Sequence, residues 1–338
     1  MQATSDKIRT DLEKLVQHGQ SLGVTLNNLE FEVMDGHIFG KCKDSKKPFS
    51  ISVPEDCMFA HHEVDFTTTP PKITRAKTKE HISYFNLYLE IVYSESRRTQ
   101  MIEHIKALNS PGFDIRAMGF KNTSRANSLE QPYELIANSH CVNYKWQDEV
   151  HLSHMPLMNF LNHSCNANPY RRTDNTLTLS GNTIKGEARA KYGEFDPLSL
   201  ADTYQFTEHT DLVFSLPFRF TLPNGRLLLI QRAINKVQQH SSFGRIPVVQ
   251  FDSDQIILSH LILTHPNRDI PIKLFKMLLQ KQDIRGLDIL WDQILRFNAS
   301  TLLNYVINPI DTDATYRQEF LGKAATDQLV SLLKNNSA

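Results

Sequence analysis

Hydrophobic and polar positions alternate with two different periods along this chain, and the switches between periods set out its elements. Ile8, Leu12, Leu15 and Val16 recur at helical spacing, which predicts a helix over 5–22 with Ser5 or Asp6 as cap and Gly19 and Gly23 bracketing its end. A period of two then takes over at Leu29, Phe31 and Val33, interleaved with Glu30 and Glu32. Asp35-Gly36 is a hairpin signal, Ile38 to Cys42 is the returning strand, and Phe49–Val53 is a further strand ending at Pro54. The polar stretch 61–80, broken by Pro70-Pro71, is expected as a loop. Leu87, Leu89, Ile91, Val92, Met101, Ile102, Ile105 and Leu108 predict helix over 81–108, split by a polar gap at Ser94-Glu95-Ser96, and a loose polar 121–131 follows. Thr176–Ser180 and Ile184–Lys191 read as a strand pair joined by Gly181-Asn182. Alternation resumes at Phe214, Phe218, Phe220 and Leu222 and continues through 227–230. From about 253 onward, apolar residues at three-to-four spacing predict helices near 254–264, 271–281, 284–297, 299–307 and 312–334, the last capped by Asp311 or Thr312.

A chain of 338 residues, 40% hydrophobic, can bury one large core or two moderate ones. Lys+Arg and Asp+Glu are equal at 37 each, so no global basic field exists to collect nucleic acid, and no nucleic-acid partner is expected. The basic run Lys41, Lys43, Lys46 and Lys47 reads as a solvated loop. Cys42, Cys57, Cys141 and Cys165 are scattered without a C-x-x-C pair, which argues against a disulfide framework and against a structural zinc site; no metal site is expected. The thiols fit a reducing compartment. There is no run of about eighteen apolar residues, hence no expected membrane span. Met1-Gln2-Ala3-Thr4-Ser5-Asp6 lacks a signal peptide's apolar core. The expectation is a cytoplasmic monomer, with nothing marking export into a host cell.

The stretch with the most chemistry is Met155-Pro156-Leu157-Met158-Asn159-Phe160-Leu161-Asn162-His163-Ser164-Cys165-Asn166-Ala167-Asn168. An apolar run carries the chain inward and stops on consecutive polar residues without a glycine. Such residues beside a buried run satisfy one another's hydrogen bonds or a ligand's. Cys165 with His163 lacks a third group to orient it, so a Cys/His hydrolase does not follow.

Asn162-His163-Ser164-Cys165 with Asn168 resembles the signature of SET-domain methyltransferases, with Ala167 at that family's proline position. Other parts recur in order. Phe39-Gly40 stands near the N-terminal cofactor turn, and Val53-Pro54 ends a strand. Ser139-His140 stands where a Rubisco lysine methyltransferase-like subfamily has Ser-Arg. Asn159 replaces an acidic residue. Gly186-Glu187 precedes Tyr192-Gly193, and Tyr204-Gln205-Phe206 sits where the family has Tyr-Gly-Phe. The resemblance covers roughly 22–215.

It implies an α+β chain with a SET-domain β-clip fold and pseudo-knot. An N-terminal helix would occupy 1–22, the SET domain 23–215 with a helical insert about 75–135, and a mainly helical substrate-binding lobe 216–338. It further implies a transferase that uses S-adenosylmethionine to methylate a lysine of a protein substrate, histidine being the other target it admits. Tyr192 would be the catalytic tyrosine. Phe39, Gly40, Ser139, Asn159, Asn162, His163, Tyr192 and Tyr204 would bind the cofactor, and Tyr204 with Phe206 would line the substrate channel. An aromatic channel suits an amine and a sulfonium, attracting both cations while excluding water. Histidine at 140 would hold a carboxylate more weakly than arginine's forked charge. Two further readings stay open: a degenerate SET fold that binds a protein partner, and an unrelated α+β protein.

Overall fold

The computed structural model describes residues 2–75, 78–108, 115–121, 132–146, 149–234, 246–282, 284–307 and 315–336. It is a mixed α and β structure of two compact units, one formed by Met1–His104 with Ser128–Glu194 and the other by Ile105–Asn127 with Phe195–Ala338. The loose 121–131 and the capping residues Asp311 and Thr312 lie almost wholly outside the described residues.

The first unit opens with helix α1 (Gln2–Ser21), which starts ahead of Ser5 and Asp6, so neither caps it. Leu12 and Leu15 are buried on its inner face, where Gly19 lets the Tyr84 ring and Leu157 approach; a Cβ there would lie 3.1 Å from Tyr84. Helix α2 (Lys79–Val92), capped by the Thr78 hydroxyl, supplies Tyr84, Phe85, Tyr88 and Leu89 to the core. Helix α3 (Glu95–Leu108) opens within the polar gap, and α4 is Pro132–His140.

Around these helices run β1 (Thr25–Asn27), β2 (Leu29–Met34), β3 (His37–Cys42), β4 (Phe49–Pro54), β5 (Phe59–Ala60), β6 (Val64–Asp65) and β7 (Lys72–Ile73). After α4 come β8 (Cys141–Trp146), β9 (Glu149–His154), β10 (Asn162–His163), β11 (Arg171–Thr173), β12 (Thr176–Gly181) and β13 (Glu187–Ala190). The β2–β3 hairpin closes on Asp35 and Gly36, both at positive φ, with Met34 opposite His37, as Asp-Gly between alternating strands requires. The expected loop at 61–80 contains the short pair β6–β7.

The expected hairpin of 176–180 with 184–191 does not form. Instead, β12 joins the sheet β1-β4-β12-β11, and β13 joins β10-β13-β3-β2. The chain changes sheet in a tight turn, with Ile184 bridged to Glu187 and both Lys185 and Gly186 at positive φ.

The second unit carries helix α5 (Pro197–Tyr204) and then β14 (Val213–Phe214), β15 (Phe218–Thr221), β16 (Leu227–Ile230), β17 (Val249–Phe251), β18 (Gln255–Leu258) and β19 (Ile262–Thr264). Residues 254–264, expected as helix, form β18 and β19. Ile256 and Leu258 alternate inward with period two, and β18 pairs with both β16 and β17. Helices α6 (Asp269–Leu279), α7 (Leu287–Ile307) and α8 (Thr315–Asn336) close the unit; α7 runs unbroken through the expected joint near 298. Their buried Phe275, Trp291, Ile294, Leu302 and Leu321 share one core with Val213, Leu228, Ile230 and Leu258. Among the described residues, no helix is long and apolar enough to cross a membrane.

Candidate functional site

Leu157, fully buried, has φ 68° and ψ −47°, an uncommon conformation for a branched side chain. It turns the chain into a single 3-10 turn at Met158–Phe160, and Leu161–Ser164 then passes alongside β13. The pairing is parallel, with Asn162 opposite Arg189 and His163 opposite Ala190. It continues as Ser164 N–H to Ala190 O at 3.1 Å and Lys191 N–H to Asn168 O at 2.9 Å.

This register delivers Tyr192 to the polar stretch. Its hydroxyl donates to Leu161 O at 2.6 Å, its N–H donates to His163 Nδ1 at 3.1 Å, and the two rings lie 5.1 Å apart. Burial, with Lys191 and Arg189 nearby, pushes His163 down to about 4, so at neutral pH Nδ1 can accept that N–H. Asn162 is exposed, whereas His163 is only 4% exposed.

A second polar cluster stands four residues upstream. Asn159 is 8% exposed; its Nδ2 lies 2.7 Å from the Tyr88 hydroxyl and 3.1 Å from His140 Nδ1, and its Oδ1 is buried without a partner. Arg97 Nη1 lies 2.8 Å from His140 Nε2. Arginine can only donate, so Nε2 accepts. Loss of water and the Arg97 charge push His140 down to about 3, so its one proton sits on Nδ1. A donor at Nδ1 calls for the amide oxygen opposite it. Exchanging the amide ends satisfies His140 and Tyr88 and leaves the NH2 unpartnered. In either orientation one buried end of the Asn159 amide has no partner among the described residues and is open to a further hydrogen-bonding group.

The other expected site residues sit as follows. Ser139 turns its hydroxyl back to Ile136 O at 2.9 Å within α4. Gly40 pairs with Ala188, and a Cβ on it would stand 2.3 Å from Leu161 Cδ2, so Leu161 is the close neighbour that requires glycine there. Phe39 is half-buried on β3 opposite Glu32. Tyr204 and Phe206 belong to the second unit, with ring centroids 6.2 Å apart and Tyr204 edge-on to Phe195 at 5.5 Å. Within the first unit, then, the structure joins Asn162–His163 to Tyr192, and Asn159 to His140. Arg97 gave no sequence signal, and Tyr88, part of the subfamily-like pattern Leu87-Tyr88-Leu89-Glu90, gave none of a site role, because their partners lie 43 and 71 residues away.

No protein-family model matches the chain. No curated protein matches it. Among solved structures it is similar to the crystal structure of the SET domain of LSMT bound to lysine and AdoHcy, with 10% identity over 97% of this chain and 90% of that chain and a TM-score of 0.43. That likeness is too slight to define a shared fold, and the chemistry of the site is read from this chain's own residues.

Proposed function

We propose that this chain is an S-adenosylmethionine-dependent protein methyltransferase of the SET type, and that it transfers a methyl group to a lysine side chain of a protein substrate. The observation that carries the reading is the meeting of two distant stretches, with the Tyr192 hydroxyl on Leu161 O and its N–H on His163. Within the proposal, 23–215 is the SET domain, its insert is about 75–135, and 216–338 is the lobe that holds the protein substrate.

The residues present fit the cofactor. Arg97 is a donor with no carboxylate partner among the described residues, and the Asn159 amide has one buried end to spare. Guanidinium and amide together suit a carboxylate, with the arginine supplied by α3 instead of the residue after Ser139. Bound S-adenosylmethionine supplies a methyl group on a sulfonium. The chain's own task is to aim a neutral amine and exclude water. The Tyr192 hydroxyl, its proton committed to Leu161 O, presents lone pairs that orient an amine N–H. Such positioning accounts for as much as about 7–11 kcal/mol of a barrier in well-oriented systems. Asn162 and His163 are proposed to bind the cofactor through backbone and amide groups.

Incubation with labelled cofactor and a cell lysate should label a protein on lysine, and Tyr192→Phe should lower the transfer about a hundredfold with the fold intact by circular dichroism. Unchanged transfer in that variant rejects the role of Tyr192. Absence of heat on calorimetric titration with S-adenosylmethionine rejects the enzyme in favour of a partner-binding protein. The inward-turned Ser139 hydroxyl and the Leu161-filled face of Gly40 lean toward that second reading.

A further inference from the structure

A separate cluster in the first unit has the composition of a metal centre. His61 stands on the turn just after β5, Cys141 opens β8, and His154 ends β9. The sheet order β5-β9-β8 sets His154 directly opposite both Phe59 and Cys141, so register alone brings the thiol and the imidazole together. His61 Nδ1 lies 3.2 Å from His154 Nε2, and Cys141 Sγ lies 3.4 Å from that same nitrogen. One donor atom from each of the three residues falls within 4.8 Å of the others.

We propose that His61 Nδ1, His154 Nε2 and Cys141 Sγ bind one zinc ion, with a water as fourth ligand.

Magnitudes favour this. Zinc bonds of about 2.0–2.1 Å to nitrogen and 2.3 Å to sulfur, set tetrahedrally, put the ligand atoms about 3.3–3.6 Å apart. The His61–His154 and Cys141–His154 edges are within about 0.2 Å of that span, and all three donor atoms lie within 4.8 Å of one another, so closing the site draws the remaining edge inward. A plain thiol–imidazole hydrogen bond would direct the sulfur at one nitrogen. Here Sγ is equally far, 3.4 Å, from Nδ1 and Nε2, which sets it over the ring face and in line with neither lone pair, so zinc binding at Nε2 turns the Cys141 side chain toward the ring edge. His154 is also held as a metal-ligating histidine is. Its Nδ1 faces the Tyr88 hydroxyl at 3.4 Å, and its ring stacks on Phe59 at 4.6 Å and 17°. A nitrogen and thiolate donor set selects a borderline-soft cation such as Zn(II) over Mg(II) or Ca(II). On binding, the thiol proton leaves to solvent as the zinc–sulfur bond forms. His61 and Cys141 are half-buried, and Ala60 and His62, on either side of His61, line a cavity of about 590 Å3. Through His154, Tyr88 and Asn159 the ion would brace the second polar cluster described above.

The test uses the full-length, untagged chain. Purified without chelator, it should carry about one zinc per chain by elemental analysis. After chelation, Co(II) titration should give a thiolate-to-cobalt charge-transfer band that saturates at one cobalt per chain. Cys141→Ser should abolish the band, Cys165→Ser should keep it, and Tyr88→Phe should weaken Co(II) binding about 10–100-fold. His61→Ala, at a half-buried position, is read beside Cys141→Ser in case the serine variant does not fold; it should weaken binding more than tenfold. Substoichiometric zinc without a cobalt band overturns the proposal. So does a band that survives Cys141→Ser or His61→Ala in folded protein.

Discussion

Arg97 and Asn159 decide the cofactor question at the residue scale. A guanidinium beside a neutral histidine, with no carboxylate partner among the described residues, has donor capacity suited to an anion. Lysine keeps the charge and loses the fork, so Arg97→Lys should raise the dissociation constant for S-adenosylmethionine. Charge-assisted hydrogen bonds contribute about 1.5–3 kcal/mol, so the rise should be roughly tenfold to a hundredfold. Calorimetry measures it, and an unchanged constant removes Arg97 from the cofactor site. Gln205 offers a separate check. It caps α5 at φ 61° and ψ 27°, the left-handed region where glycine is favoured. Gln205→Gly should stabilise the chain by up to about 1 kcal/mol, read as a higher melting temperature.

Among the elements, β3 and the 158–164 segment are fitted to each other through Gly40. An added methyl would press on Leu161 Cδ2, and Leu161 is fully buried and holds the acceptor for the Tyr192 hydroxyl. Overpacking a core costs about 1–3 kcal/mol. Gly40→Ala should therefore lower the unfolding free energy by that amount in a denaturant titration, and should lower methyl transfer more than Phe39→Leu does. The sequence marked Gly40 as a close approach but not by what, since the approaching side chain is 121 residues away. Local signals fared best. Asp35-Gly36 names its own turn, and the break between α2 and α3 falls at Tyr93-Ser94, the start of the polar gap, with Glu95 and Ser96 already opening α3. Segment 254–264 misled because Ile256, Ile257, Leu258, Leu261, Ile262 and Leu263 fill both periods, and only pairing with β16 and β17 selects strand. Gly181-Asn182 looked like a hairpin turn because nothing local tells a return from a change of sheet. Cys141 and His154 carried no spacing signature, since it is β-register that makes them neighbours.

Each unit of the whole molecule rests on contacts between residues far apart in sequence, and in the second unit these converge on a buried carboxylate. Asp196 accepts from Ser199 N–H at 2.9 Å, Phe214 N–H at 3.0 Å and Gln328 Nε2 at 2.7 Å, and it is ion-paired with the buried Arg232 guanidinium. It thus ties α5, β14, α8 and the segment after β16 together, across up to 132 residues of chain. Burial alone would raise its pKa, but the Arg232 charge and the hydrogen bonds from Arg232, Ser199 and Gln328 outweigh burial and hold it below the ordinary value. A carboxylate whose folded pKa is depressed contributes stability that is fully present above its unfolded pKa of about 3.9 and is lost as pH falls through the folded value. Acid should therefore loosen the second unit below about pH 4. The buried Trp291 reports on that core, and a Trp146→Phe background isolates its fluorescence. Asp196→Asn leaves Arg232 buried without its counter-charge and should cost about 3–5 kcal/mol at pH 7, while flattening the acid dependence of the Trp291 signal. An acid transition equally steep in Asp196→Asn would assign the pH response to other carboxylates and reduce Asp196 to a hydrogen-bonding cap.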